Sequence, residues 1–214
     1  MHSPRIHAFA RSVLAVLLTA GLAPRLSALQ GSTSPPESAP LAVRVVQSAI
    51  EQTTFTRFYD PAYLRIAYPG GDVPRERGVC TDVIIRAFRA AGVDLQREVH
   101  RDMAANFSAY PQRWGLTRPD TNIDHRRVPN LMTYFRRQGK ALRLSASAAN
   151  FQPGDVVAWN LGRGVLHIGI VTSVRAGDGQ RYQAVHNLGS GAKLEDVLFS
   201  WRIIGHYRYF PAQN

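Results

Sequence analysis

The stretch RGVCTDVIIRAFRAAG, residues 77–92, holds the single cysteine of a 214-residue chain and decides how its neighbours are read. Val83, Ile84, Ala87, Phe88 and Ala91 recur at helical spacing, and Gly92 is a natural C-terminal stop. Cys80 stands three, four and seven residues ahead of Val83, Ile84 and Ala87, so it shares their buried stripe. It also opens the helix. The backbone N–H groups and the dipole there favour a thiolate, lower a thiol pKa and can stabilise an oxyanion. Arg75 and Arg77 add positive charge nearby. A lone cysteine forms no internal disulfide, and its bland role is that of a small buried hydrophobe.

Working outward, LAVRVVQSAIEQTT predicts an amphipathic helix with Leu41, Val45, Val46, Ala49 and Ile50 on one stripe. RFYDPAYLRIAYPGGDVP, residues 57–74, reads as an extended piece followed by a proline- and glycine-broken loop. LQREVHRDMAANFSAYP and VPNLMTYFRRQGKAL predict two more helices, separated by an irregular segment with Pro119 and Pro129. Beyond Leu142 the character changes. DVVAW, HIGIVTSV, RYQAVHN and IIGHYRYF are short, rich in β-branched and aromatic residues, and spaced by turn clusters. Helices first and strands later predict an α+β domain, with helices packed on a small antiparallel sheet or half-barrel.

The N-terminus belongs to none of this. MHSPRIHAFAR is basic, SVLAVLLTAGLA is a short apolar run, and Ser27 and Ala28 are small. Residues 1–28 therefore read as a secretory signal peptide, 29–42 as a Ser/Pro/Gly linker, and 43–214 as one domain with an insert at 95–145. An uncleaved anchor is the alternative. The expectation is an exported protein, periplasmic or secreted, with no stable membrane span after processing and acting as a monomer. The net charge of +11 falls to +8 once Arg5, Arg11 and Arg25 are removed with the leader. A basic exported domain suits an anionic partner such as a cell-wall polymer. Nucleic acid is not expected, because the basic residues come in ones and twos with no aromatic interleaving.

A thiol nucleophile needs a base. His167 opens HIGIVTSV just past the turn at Gly162–Gly164. The turn RAGDG returns the chain, so residues 186–188 fall opposite His167 and offer His186 and Asn187 to orient its ring. Only one of the two can face it, since neighbouring strand residues point opposite ways. Tyr182, Ala184 and His186 share one face, and Gln183, Val185 and Asn187 the other. His186 is the chosen partner, with the Cys80 sulfur expected roughly 3 to 4 Å from a His167 nitrogen.

GVCTDVIIRAF, QPGDVVAW, HIGIVT and VHNLG together resemble the core of the NlpC/P60 branch of papain-like cysteine hydrolases. YPGGDVP, NIDHRRVPNL and GHYRY extend the resemblance to the DUF1287 family along most of the mature chain. The resemblance implies Cys80 as nucleophile, His167 as base, His186 or Asn187 as orienter, no cofactor, and peptidoglycan peptides as substrate. The insert is not part of the minimal NlpC/P60 core. Within it, Asp124, His125, Arg126 and Arg127 stand together in a loop, where an arginine would clamp a substrate carboxylate or else pin the loop by local ion pairs. Trp159 is read as a wall of the cleft or as core, and Asp82 as a complement to the helix dipole. Two rivals stand beside the hydrolase. One is a zinc enzyme drawing on Cys80, His100, His125, His167 and His186, for which no paired ligand motif is present. The other is a non-catalytic wall-binding or inhibitor module.

Overall fold

The computed structural model describes residues 39–210. The expected signal segment, most of the linker and the last four residues lie outside the described residues. Helix α1 spans Leu41–Phe55, α2 Cys80–Ala90, α3 Leu95–Ala105 and α4 Val128–Arg137. A two-residue parallel pair, β1 (Phe58–Tyr59) with β2 (Arg77–Gly78), closes the loop ahead of α2. The main sheet holds β3 (Val156–Asn160), β4 (Leu166–Arg175), β5 (Tyr182–Asn187), β6 (Ala192–Glu195) and β7 (Arg202–Tyr207). Its order is β6-β5-β4-β3-β7, antiparallel throughout. The expected α+β architecture is therefore what forms. Strand β6 is not among the expected strands, because AKLE has no β-branched run to announce it. Among the described residues no helix is long and apolar enough to cross a membrane.

The strand alternation sorts the core. Val156, Ala158, Ile168, Ile170 and Val185 pack beneath the helices with Val83, Ile84, Phe88, Leu131 and Phe135. Val157, Trp159, Val171 and Ala184 face the other way and bury Phe151 and Leu198. Helix α2 matters most to the site. It is buried from Cys80 to Phe88 and ends where Gly92 takes a φ of 88°, a left-handed C-terminal cap that glycine adopts without strain.

Two arginines fix the start of α2. Arg86 sits on its inner side and donates to the carbonyls of Val73, Pro74, Arg75 and Arg77 and to the Asp72 carboxylate, pinning the loop that delivers Cys80. Arg126, in the 3₁₀ turn Asp124–Arg126, forms a two-pronged pair with Asp82 at 2.9 and 3.0 Å. Its remaining donors go to the carbonyls of Ala62 (3.0 Å) and Asp60 (3.3 Å). Both side chains are almost wholly buried, at 2% and 3% exposure.

Burial governs the insert as well. His125, in the same turn, is pushed down to about 3, first by burial and then by Arg126 and Arg89. It is neutral in the fold, whereas in the unfolded chain it takes a proton below about 6.5.

Two predictions follow from these burials. Arg126→Met leaves the Asp82 carboxylate buried and unpaired, and should cost about 3–5 kcal/mol in urea unfolding. Arg181→Met, which breaks a half-exposed pair with Asp196, should cost about 1 kcal/mol or less. Equal losses would show that the buried pair does not anchor the fold. The second concerns pH. Between about 6.5 and 3 the unfolded chain binds a proton at residue 125 that the folded chain refuses, so stability falls with falling pH by up to about 1.4 kcal/mol per unit. Above 6.5 the term vanishes. The pH slope of the urea midpoint should be shallower in His125→Gln; an unchanged slope would refute neutral burial.

Candidate active site

Cys80 is the first residue of α2, and the residue ahead of it is Val79, which has no side-chain oxygen to cap the helix. Asp82 reaches back to the Val79 N–H at 2.6 Å. The N–H groups of Cys80 and Thr81 turn to the Cys80 sulfur instead, joined by the Ile168 N–H. Ile168 lies beyond the last bridge of β4 to β5 in that direction, Ile170↔Val185. Strand N–H groups point in the plane of the sheet. Cys80 itself packs in the cluster on the helix side of the sheet, with Ile168 and Ile170.

His167 lies directly across β3 from Trp159 and stacks on it, with ring centroids 5.8 Å apart. Its Nε2 is 2.9 Å from His186 Nδ1. Trp201 closes edge-on over both rings, at 5.8 Å from His167 and 5.9 Å from His186. These groups open on the face away from the helices. Asn187 goes the other way, and its amide donates to the Gly78 carbonyl at 2.9 Å. The strand parity thus gives His186 to His167 and Asn187 to the loop that carries Cys80. Among the described residues nothing engages His167 Nδ1.

Two expectations are corrected here. Burial overrides the helix dipole and pushes the Cys80 thiol up to about 12, with the Asp82 carboxylate adding to the rise and three N–H groups only partly offsetting it. Burial likewise pushes His167 down to about 3, with His186 adding to the fall. Both groups are neutral at rest. Among the described residues no hydrogen bond joins the Cys80 sulfur to His167, although the sequence reading places them in contact.

The other candidates separate from the thiol. Arg126 is no free clamp, because its donors are spent on Asp82, Ala62 and Asp60. Arg127 pairs with Asp124 at 2.8 Å and lies 3.9 Å over the Trp114 ring. Asp124 also accepts the Asp120 N–H at 2.6 Å, and burial raises its carboxyl. His125 is buried in the same turn. Their shared task is to pin the loop. Trp159 is fully buried, with its indole N–H on the Leu198 carbonyl at 3.0 Å; it is a floor under His167 and not a cleft wall. Among the described residues no group of three His, Cys, Asp or Glu side chains could hold a metal ion, so the five zinc candidates are not gathered.

Three neighbours escaped the sequence reading. Tyr59 is partly exposed, and its hydroxyl is pushed up by burial first, with Cys80 and the Asp82 carboxylate close enough to add to the rise. Trp201 flanks the histidines. Glu195 Oε2 is 2.9 Å from His186 Nε2. Tyr59 lies in the aromatic segment ahead of the cysteine, which was the available signal. The other two depend on the unrecognised β6 and the turn after it. Beside His186 and Trp201 a cavity of about 450 Å³ opens, lined also by Leu188, Lys193 and Glu195.

Comparison with known proteins bears on the family. The chain is 56% identical over 166 residues to "Uncharacterized protein YijF" of Escherichia coli K12, covering 78% of this chain and 80% of that protein. Among solved structures, NlpC1 from Trichomonas vaginalis aligns at 15% identity and a TM-score of 0.40, over 78% of this chain and 45% of the other. A lipoprotein-like protein of the NLP/P60 family from Staphylococcus aureus aligns at 16% and 0.37, over 77% and 41%. The chain spans less than half the length of either solved structure. The family model described as "Domain of unknown function (DUF1287)" matches residues 46–209, and the chain belongs to that family.

Proposed function

We propose that the protein is an exported cysteine hydrolase that cleaves an amide bond in cell-wall peptides, working as a monomer on an anionic wall polymer. One observation carries the reading: an imidazole tied through Nε2 to a second histidine, with Nδ1 unengaged, on the strand whose next N–H meets a helix-start sulfur. In this reading Cys80 is the nucleophile, His167 the base and His186 the orienter. The thiol proton passes to His167 Nδ1 as sulfur bonds to the substrate carbonyl carbon. The N–H groups at the start of α2 hold the oxyanion. The C–N bond then breaks, the imidazolium returns its proton to the leaving amine, and water hydrolyses the thioester to regenerate the thiol.

The two pKa shifts constrain the route. A thiol at about 12 and an imidazole at about 3 do not form an ion pair before substrate arrives. Proton transfer is coupled to attack. Each shift is led by the burial of a lone charge, and a thiolate beside an imidazolium relieves both together. In the free protein, alkylation of Cys80 by iodoacetamide should keep accelerating well above the ordinary thiol range near 8.5. A plateau below that range would mean a preformed thiolate.

The activity itself is tested by digesting purified peptidoglycan and identifying fragments by mass. Cys80→Ser and His167→Ala should each abolish release, and the double variant should be little worse than either. His186→Ala should lower turnover by about 10²-fold, and Asn187→Ala by less. Fragments released undiminished by Cys80→Ser would remove the proposal. Loss of release on chelation alone would favour the zinc alternative, and wall binding without release the binding module.

A further inference from the structure

Both ring nitrogens of His186 have a close polar neighbour. Nδ1 lies 2.9 Å from His167 Nε2, and Nε2 lies 2.9 Å from the Glu195 carboxylate. A lone pair on Nε2 would face the negative Glu195 oxygen, so the carboxylate favours the N–H of neutral His186 on Nε2. Its Nδ1 is then a bare acceptor. The only N–H that His167 can offer it is at Nε2, so the lone pair of His167 falls on Nδ1. One carboxylate at the end of the row thus decides which nitrogen of a ring two residues away is basic. The carboxylate lies off the Nε2–H axis, so its preference for the positive N–H end of the ring dipole carries the contact more than hydrogen-bond alignment does.

We infer that Glu195 is a positioning residue, which sets the tautomer of His186 and through it makes His167 Nδ1 the basic nitrogen. This rests on the reading of His167 as the base that takes the Cys80 proton. The geometry suits the task. β6 pairs with β5, placing Lys193 directly across from His186 and Glu195 across from Ala184. Glu195 and Lys193 on β6 and His167 on β4 are the titratable groups around His186. Glu195 favours a positive charge on that ring and Lys193 opposes it. Glu195 is 43% exposed and borders the cavity beside Trp201, so substitution there need not disturb the core. The neighbouring Asp196 is taken by Arg181 and is no substitute.

The test reads tautomers, not only rates. In the full chain, ¹⁵N NMR of the histidine rings separates protonated from bare nitrogens at neutral pH. The wild type should show His186 and His167 both protonated at Nε2. In Glu195→Ala, His186 should move partly to the Nδ1–H form, which obliges His167 to carry its proton on Nδ1. Peptidoglycan hydrolysis should then fall about 10-fold or more, the scale of outer partners that orient a reactive ring. Glu195→Asp should restore part of the wild-type pattern, while Asp196→Asn should leave the tautomers as they are. Unchanged tautomers in a folded Glu195→Ala protein would overturn the inference. If the tautomers respond to Glu195 but the wild type hydrolyses no wall peptide, the positioning assignment stands and the proposed activity falls.

Discussion

The pair between Asp82 and Arg126 is the constraint on which the site depends. Asp82 turns one oxygen to the Val79 N–H and both to the guanidinium, so the first turn of α2 is closed from the side opposite the thiol. Arg126 carries the same tie to the carbonyls of Asp60 and Ala62, and its own carbonyl accepts the Thr81 hydroxyl at 2.9 Å. Three segments far apart in sequence meet there. They are the aromatic loop after α1, the start of α2 and the insert after α3. A buried pair of this kind adds little net stability over an apolar replacement, but it is costly to break singly. Its contribution is to hold one geometry, in which the α2 N–H groups face the sulfur with no side chain competing for them.

The fold was legible where periodicity was strong. The stripe from Val83 to Ala91 marks α2, and the alternation in HIGIVTSV and RYQAVHN marks β4 and β5. Strand parity alone separates His186 from Asn187. What escaped lacks a local signal. β6 is four residues that become a strand only by pairing with β5, and Glu195 is an ordinary acid until that pairing puts it against His186. The charge of NIDHRR was visible, yet its direction was not. A surface arginine and one buried against a carboxylate look alike in sequence, and only the packing of the 3₁₀ turn against α2, α3 and α4 tells them apart.

At Cys80 the helix dipole is outweighed for a reason of scale. A helix start favours a nearby charge by a kcal/mol or so, whereas desolvation shifts a fully buried group by several pKa units. Cys80 is 4% exposed and His167 1%, so burial wins for both. The same walls of Trp159 and Trp201 that keep the imidazole neutral also keep water from its ring.

The end of α1 has a bearing on all this. The Thr56 carbonyl accepts the Ala192 N–H at 2.9 Å, and a Cβ added at Gly191 would stand 2.4 Å from the same oxygen. β6 is thus seated on the first helix through a contact that admits no side chain. The residues around Cys80, His167 and His186 do not make a self-sufficient unit. A chain begun after Arg57 would keep the residues around Cys80, His167 and His186 yet lose the brace beneath β6, and with it the strand that sets Glu195 beside His186.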